Sequence, residues 1–392
     1  MQRSFNMMKE LCRWNDVDFF TFYQTDHHIL SGNSVTRARR EISELCNLID
    51  VFPILSDHSR VLKILNVMAG LVTKNPYMVW WLRNKNFSRM LSEASRKEEY
   101  DIFYFDTLAL AQYLKVLPRK KGVMVLNHHN IESQLMHRRS KNEKNVLKAS
   151  YFSMEGRKRE EYEIQKCPLF DHNIVVSQLD KERLEKITGN ISCSIVPNGV
   201  DLRYFNPVGI DPEDNMIIFI GGLTFYPNIA AIRFILRYIW KPLKKKRPLL
   251  KFLIVGKNPP KDVVQAAESD PSIVVTGYVD DIRPLMEKAA VYVCPITDGG
   301  GTRLKILDAL AMKKALVAHP IACEGIDVTD GRDVVFAQSP DQFVNSIDQL
   351  LGDSSRRKML GENGHLLIES KYSYEAIGRG LNNTLTNLVG QR

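Results

Sequence analysis

Residues 291–312 read VYVCPITDGGGTRLKILDALAM. An unbroken apolar run, Val291–Cys294, leads into a glycine triplet and then into residues with helical spacing, Thr302–Met312. A strand apolar on both sides, a glycine turn and a helix together form one step of a parallel sheet covered on both faces. The pattern extends in both directions. Short apolar runs recur at Met216–Ile220, Lys251–Val255, Ile273–Thr276, Ala315–Ala318 and Asp333–Ala337. Helical patterns lie at Ile229–Trp240, Lys261–Glu268, Ile282–Ala290, Pro340–Leu351 and Ser354–Ser370. The spacing predicts a doubly wound α/β domain over residues 212–370.

The first half repeats the idea with longer connections. Strands are expected at Val17–Tyr23, Asp50–Ile54, Asp101–Phe105, Gly122–Leu126, Asn173–Ser177 and Ser192–Val196, with a long charged helical region from Ser133 to Lys166. That region mixes both signs of charge, which describes a solvated helical face rather than a nucleic-acid patch. Pro197–Pro212, rich in Pro, Gly and Asp, marks a domain boundary. The expected architecture is therefore two doubly wound Rossmann-like domains, residues 1–200 and 212–370, facing a cleft at the carboxyl ends of their strands. Tyr374, Ile377, Leu381, Leu385 and Leu388 recur at three- and four-residue steps, so residues 372–390 are expected to form a helix that returns to the first domain. Met1–Trp14 reads as an amphipathic helix, where such a domain ordinarily opens with a central strand and a glycine turn. Either another segment fills that slot or the first strand of the N-terminal domain is missing; the second reading is preferred.

Composition bounds the function. The chain has 392 residues, 44% hydrophobic and 25% charged, and a formal charge of +9 from 54 Lys+Arg against 45 Asp+Glu. These values describe a globular protein and exclude disorder, collagen and coiled coil. A charge of this size allows a basic face toward phosphates or anionic lipid without arguing for nucleic acid, and no compact nucleic-acid motif is present. No apolar stretch reaches the ~20 residues of a membrane span. Six cysteines are scattered without metal or disulfide spacing, which predicts a reducing, cytoplasmic compartment.

Several residues can carry chemistry. Gly299, Gly300, Gly301 and Thr302 at a strand–helix junction let backbone N–H groups approach an anion, and Arg303 and Lys305 add cations suited to a diphosphate. Asp308, in an otherwise apolar run, can accept hydrogen bonds from a ribose diol or pair with Lys305 across one turn. Gly221 and Gly222 end the first strand of the second domain and repeat the phosphate-turn signal, with Asn228 as an expected N-cap. Tyr278 lies in a turn, Thr276–Asp281, that can present groups to a nucleobase or simply cap a helix. In the first domain, His128, His129, Asn130 and Glu132 follow a strand. They lack a third, remote ligand at metal spacing, so a metal site is not expected. His129 is a polar contact for a sugar or phosphate. Basic and aromatic residues over Tyr77–Arg89 can lie on an anionic membrane surface, or place Trp80 and Trp81 in the core.

Taken together, NHHNIES (Asn127–Ser133), VVSQLDKERL (Val175–Leu184), VPNGVD (Val196–Asp201), the Phe219–Asn228 segment, VTGYVDDIRPLM (Val275–Met286), GGGTRLKILDALAM (Gly299–Met312) and ACEGI (Ala322–Ile326) resemble a retaining glycosyltransferase of the GT-B fold, family 4. The resemblance is nearest to a bacterial subgroup tied to exopolysaccharide or exosortase-associated loci. It implies a nucleotide-diphospho-sugar donor on the second domain, a saccharide or lipid-linked acceptor on the first, and transfer with retention, without an obligatory metal or other cofactor. The family's two glutamates, separated by seven residues, match Gly300 and Asp308. His129 matches the family's cleft histidine, and Arg303 and Lys305 take over the charge of an Arg and a Lys not evident near Leu223. The implied donor contacts are Gly221, Gly222, Tyr278, Gly300, Gly301, Thr302 and Asp308. The implied acceptor contacts are His128, Asn130 and Glu132. Location at the inner face of the membrane is implied, as a peripheral contact. A non-catalytic GT-B-like binding protein and a sugar-nucleotide epimerase are the alternatives.

Overall fold

A computed structural model describes residues 2–23, 32–57, 59–118, 122–298 and 303–391. The chain divides into two compact units, Met1–Val196 with Gly378–Arg392, and Pro197–Ile377.

The first unit runs α1 (Gln2–Leu11), β1 (Asp18–Tyr23), α2 (Gly32–Ser43), β2 (Asn47–Pro53), α3 (Arg60–Val72), α4 (Tyr77–Trp81), α5 (Lys85–Lys97), β3 (Ile102–Phe105), β4 (Val123–Asn127), α6 (Glu132–Asn142), α7 (Val146–Lys166), β5 (His172–Val175), α8 (Gln178–Thr188) and β6 (Cys193–Ile195). All pairings are parallel, but the strands form two sheets, β1-β2 and β3-β4-β5-β6. The Tyr100 hydroxyl, just before β3, donates to Asp18 at the start of β1. The charged region expected as one helical stretch is a hairpin of two helices. Asn145 breaks it by capping α7, accepting from the Lys148 amide at 3.1 Å. Its mixed charges pair across the hairpin, Arg159 with Glu132 at 2.6 Å and His137 with Glu160 at 3.1 Å. This explains how so polar a segment packs.

The second unit runs β7 (Glu213–Ile220), α9 (Tyr226–Phe234), α10 (Lys241–Lys246), β8 (Lys251–Val255), α11 (Lys261–Ser269), β9 (Ile273–Gly277), α12 (Arg283–Lys288), β10 (Ala289–Cys294), α13 (Leu304–Ala311), β11 (Ala315–Ala318), β12 (Val335–Phe336), α14 (Pro340–Gly352) and α15 (Ser354–Leu367). Its parallel sheet has the order β12-β11-β10-β7-β8-β9. Ile217, Phe219, Phe252, Val291 and Tyr292 are fully buried, because helices cover both faces. The helix expected to run through Ala290 stops at Lys288, since Ala289 already opens β10. From β7 the chain adds β8 and β9 on one side, then returns to add β10, β11 and β12 on the other. The switch point therefore lies between β7 and β10, and ligands bind such sheets outside the carboxyl ends of the strands at that point.

A last helix, α16 (Tyr374–Gly390), begins in the second unit and ends in the first. Tyr374, Ile377, Leu381 and Leu385 form its buried stripe. Gly378 lies so close to Glu10 of α1 that no side chain fits there, and Asn15 donates to Asn382 at 2.8 Å. Gly378→Val is therefore expected to destabilise the first unit, by the ~1–3 kcal/mol typical of overpacking. Hydrogen exchange should accelerate in α1 and α16 and stay unchanged in β7 and β10; uniform protection in α1 would refute the close packing.

Candidate active site

The switch point of the second unit carries the residues singled out from sequence. Tyr292, inside β10, donates to the Ile220 carbonyl at 3.2 Å, tying the carboxyl end of β7 to its neighbour. The chain then turns at Gly221 and Gly222, with the Gly221 amide donating to Val255 at 3.0 Å. Pro227 stands in the first turn of α9, which starts the helix at Tyr226 with Phe225 at the N-cap. Asn228 is thus not the N-cap that its residue type suggested. Its side chain turns back instead: Nδ2 donates to the Gly222 carbonyl at 2.8 Å, and Oδ1 accepts from Lys305 Nζ at 2.5 Å.

Lys305 comes from the first turn of α13, so this bond joins the helices that follow β7 and β10. Its ammonium also lies 4.7 Å above the Phe219 ring. A Cβ at residue 221 would come within 2.6 Å of Nζ and 2.7 Å of Asn228 Nδ2, so a side chain there would displace the two partners of this bond. At Gly222 a Cβ would meet nothing within 4 Å. The sequence reading aimed Lys305 at a diphosphate; the structure shows it locking the glycine turn, with its charge placed at that turn.

Asp308, one turn further along α13, is 9% exposed, and its Oδ1 has no hydrogen-bond partner. It does not bond Lys305, whose ammonium is committed to Asn228. Burial pushes the Asp308 carboxyl up to about 8, against the pull of the nearby Lys305 charge. Burial likewise pushes the Lys305 ammonium down to about 8. Arg303 precedes the helix, 9% exposed, and donates to the Asp298 carbonyl at 3.1 Å. Gly300, Gly301 and Thr302 lie outside the described residues. Tyr278 is highly exposed, after Gly277 in the left-handed region at φ +73°.

The first unit places a second constellation at the carboxyl ends of β3 and β4. His129 Nε2 lies 3.2 Å from Asp106 Oδ1, which also accepts from Asn127 at 2.7 Å. Arg3 of α1 donates to Asn127 Oδ1 at 3.2 Å and to the Val196 carbonyl at 2.8 Å, closing the ends of β4 and β6. Burial alone would raise the Asp106 carboxyl, but hydrogen bonds from His129, Ser4 and Asn127 hold it below the ordinary range. The sequence reading missed Asp106, although its position directly after a strand carried the same signal as His129.

His128 points the other way. It is 2% exposed and lies 3.1 Å from Asn173 Oδ1, and burial lowers its imidazole to about 4. A neutral, sealed ring is a packing group between β4 and β5, which corrects the expectation of an acceptor contact. Glu132 is held by Arg159, and Asn130 is half-buried beside His129. Trp80 and Trp81 are half-buried and donate to Thr73 at 3.1 Å and Asp57 at 3.4 Å. Both indoles are thus tied into the first unit. Among the described residues, no group of three or more His, Cys, Asp or Glu is placed to hold a metal ion, and no helix is long and apolar enough to cross a membrane.

Two family models match the chain, "Glycosyl transferases group 1" over residues 214–353 and "Glycosyltransferase Family 4" over residues 57–204. The chain belongs to the family 4-like glycosyltransferases of the GT-B fold. An uncharacterized glycosyltransferase of Methanocaldococcus jannaschii is 23% identical over 222 residues, 52% of this chain and 55% of that protein. A 44.6 kDa protein from the cps region of Klebsiella pneumoniae is 21% identical over 168 residues, 41% of this chain and 43% of that one. The matched region thus spans about half the length of these curated relatives. Among solved structures, a sucrose-phosphate synthase from Thermosynechococcus elongatus superposes with a TM-score of 0.69 at 16% identity, covering 98% of this chain and 92% of that one. The Anabaena protein HepE, solved with UDP, gives 0.66 at 12% identity, covering 99% and 96%. At these identities the likeness establishes the fold.

Two outcomes follow for the switch point of the second unit. Lys305→Met and Asn228→Ala each remove the same lock, so their effects on stability should not add. A double-mutant cycle should give a coupling of about 1 kcal/mol or more, as for residues in direct contact; additivity would dissolve the Lys305–Asn228–Gly222 relay. The second outcome concerns pH. Asp308 has a folded-state value of about 8, above its unfolded value near 3.8, so the native state keeps a proton that the unfolded chain has lost between those values. Stability therefore falls as pH rises through that window. For Lys305 the folded value lies below 10.5, so its contribution rises with pH only above about 8. Thermal melts of the unliganded protein should drop from pH 5 toward pH 8, and Asp308→Asn should flatten that drop. An unchanged slope in the variant would mean that Asp308 is not the group concerned.

Proposed function

We propose that the protein transfers a sugar, with retention of anomeric configuration, from a nucleotide-diphospho-sugar held by the second unit to a saccharide or lipid-linked acceptor bound by the first. The observation that carries this reading is the unpartnered Asp308 Oδ1, buried in α13 beside the locked glycine turn at the switch point. An unsatisfied buried oxygen costs roughly 1–3 kcal/mol, and a ribose hydroxyl would satisfy it. With the ribose there, the diphosphate falls to the Gly221–Gly222 turn, where the Lys305 charge is held, and to Arg303. HepE, also solved with UDP and glucose, supports a nucleotide-sugar on this fold.

The difficult step is departure of the diphosphate, whose growing negative charge needs fixed donors already in place. Lys305, Arg303 and the backbone of the glycine turn supply them without reorganising, and the proposed reaction uses no cofactor. His129, oriented by Asp106, hydrogen-bonds the acceptor or the transferred sugar. Six free thiols are consistent with action in the cytoplasm, in a polysaccharide or glycoconjugate pathway.

Calorimetry with UDP and GDP, followed by incubation with nucleotide-sugars and acceptor saccharides, tests the reading. A nucleoside diphosphate should bind; Arg303→Ala should weaken it about tenfold or more, the scale of a hydrogen bond to a charged group, and Asp308→Asn should weaken it about two- to tenfold, the scale of a neutral one. His129→Ala should lower kcat/KM about a hundredfold while leaving nucleotide affinity intact. Binding without turnover would point to a non-catalytic protein, and conversion of the donor without acceptor would point to an epimerase; either result would overturn the proposal.

A further inference from the structure

The helix α3 is built inside out. Its only buried residue is Gly70, which packs against Tyr77, while Asn66, Val67 and Ala69 are half-buried. Facing solvent is a stripe at three- and four-residue steps: Val61 (66% exposed), Ile64 (62%), Leu65 (55%), Met68 (50%) and Val72 (77%). Leu62 and Leu71 flank it, also exposed. A helix with a narrow inner side, Asn66, Val67, Ala69 and Gly70, and a broad aliphatic outer side has its larger apolar surface turned toward something other than its own core. The helix is nevertheless well made. Ser59 caps its start, accepting from Leu62 at 3.3 Å, and Lys158 of α7 donates to the carbonyls of Gly70, Leu71 and Thr73 at its end. Both anchors hold its ends and leave the stripe open.

Charge identifies what covers it. Between Ser59 and Ser92 there is no acidic residue, and there are six cations: Arg60, Lys63, Lys74, Arg83, Lys85 and Arg89. All six are exposed. The carboxylates close to this stretch are engaged, and one of them, Glu93, lies 3.9 Å from Arg89. Asp57 accepts from the Trp81 indole, and Glu155 accepts from the Tyr77 amide beside Arg159. An exposed aliphatic helix in a stretch of sequence that carries cations and no acid has the two attractions that bind an interfacial helix to an anionic bilayer: burial of apolar side chains below the headgroups, and attraction of Lys and Arg to the surface charge. A second copy docked through the same face would set these cations against their own kind.

We propose that α3 is a membrane-docking helix that lies in the surface of an anionic lipid bilayer, with Val61, Ile64, Leu65, Met68 and Val72 entering the acyl boundary and Arg60, Lys63 and Lys74 at the headgroups. This places the contact on α3 and not on the tryptophans of α4. It does not rest on the sugar-transfer reading.

Flotation of the full chain with vesicles tests it, comparing phosphatidylcholine alone with phosphatidylcholine mixed with phosphatidylglycerol. The protein should float with the mixed vesicles, weakly or not at all with the neutral ones, and less in high salt. Ile64→Ser/Leu65→Ser/Met68→Ser should lower binding about tenfold or more, as should Lys63→Glu/Lys74→Glu, because each removes one of the two attractions. All these positions are solvent-exposed, so melting temperatures should be unchanged, which separates lost docking from lost folding. Absence of binding to anionic vesicles would overturn the proposal, as would equal binding by the triple serine variant. So would a wild-type dimer on size exclusion that the serine variant converts to monomer, since the face would then belong to a second copy.

Discussion

A single hydrogen bond, from the half-buried Lys305 side chain to Asn228, decides the shape of the second unit's site. It spans the gap between the helices that follow β7 and β10, the two strands at which the winding reverses. Burying an ammonium is costly unless it is paired, and here a charge-assisted bond and the face of Phe219 offset the cost. The consequences pass along the chain. A side chain at Gly221 would push the ammonium and the Asn228 amide out of place. Asn228 must present its amide to Gly222 because its oxygen is taken. Asp308, deprived of the cation three residues before it, is left with an unsatisfied oxygen.

The two units use charge in opposite ways. In the second, burial drives Lys305 and Asp308 toward neutrality and leaves hydrogen-bonding capacity unspent, the condition expected of groups awaiting a ligand. In the first, the Asp106 carboxylate takes bonds from Asn127 and His129, so the imidazole is oriented before anything binds. Around it the scaffold is polar but closed. Glu163, raised to about 7 by burial, accepts from both the amide and the hydroxyl of Ser133 and so fixes the start of α6 just after the His129 turn. Sealed His128 holds β4 to β5 from beneath.

The fold of the second unit was legible because its strands are apolar on both faces and its turns carry glycine, two signals that local sequence states directly. The glycine turn and Asp308 were legible for the same reason. What was hidden depended on pairings between distant segments. Arg3 and Asn127 meet across 124 positions, and Lys305 and Asn228 across 77. Residue type proposed Asn228 as a cap, but Pro227 had already started the helix. Two adjacent histidines looked alike in sequence, yet strand alternation sends His128 into the core and leaves His129 at the turn. The inverted face of α3 was invisible for a related reason. An apolar residue in a helix does not state which way it faces, and only the structure shows that Gly70 and Asn66 occupy the inner side.

The membership of most of α16, from Gly378 onward, in the first unit has a consequence for how the protein is made. That unit is interrupted: its residues stop at Val196 and resume at Gly378, with the whole second unit between them. On a ribosome, at about 5–20 residues per second, the intervening stretch takes roughly 10–40 s to emerge. Throughout that interval α1 is exposed without the helix that covers it around Glu10. The second unit, contiguous from Pro197 to Ile377, has no such wait and can close first. The first unit is therefore completed only after the whole second unit has been translated, and a chain released before α16 would carry a finished second unit beside an open one.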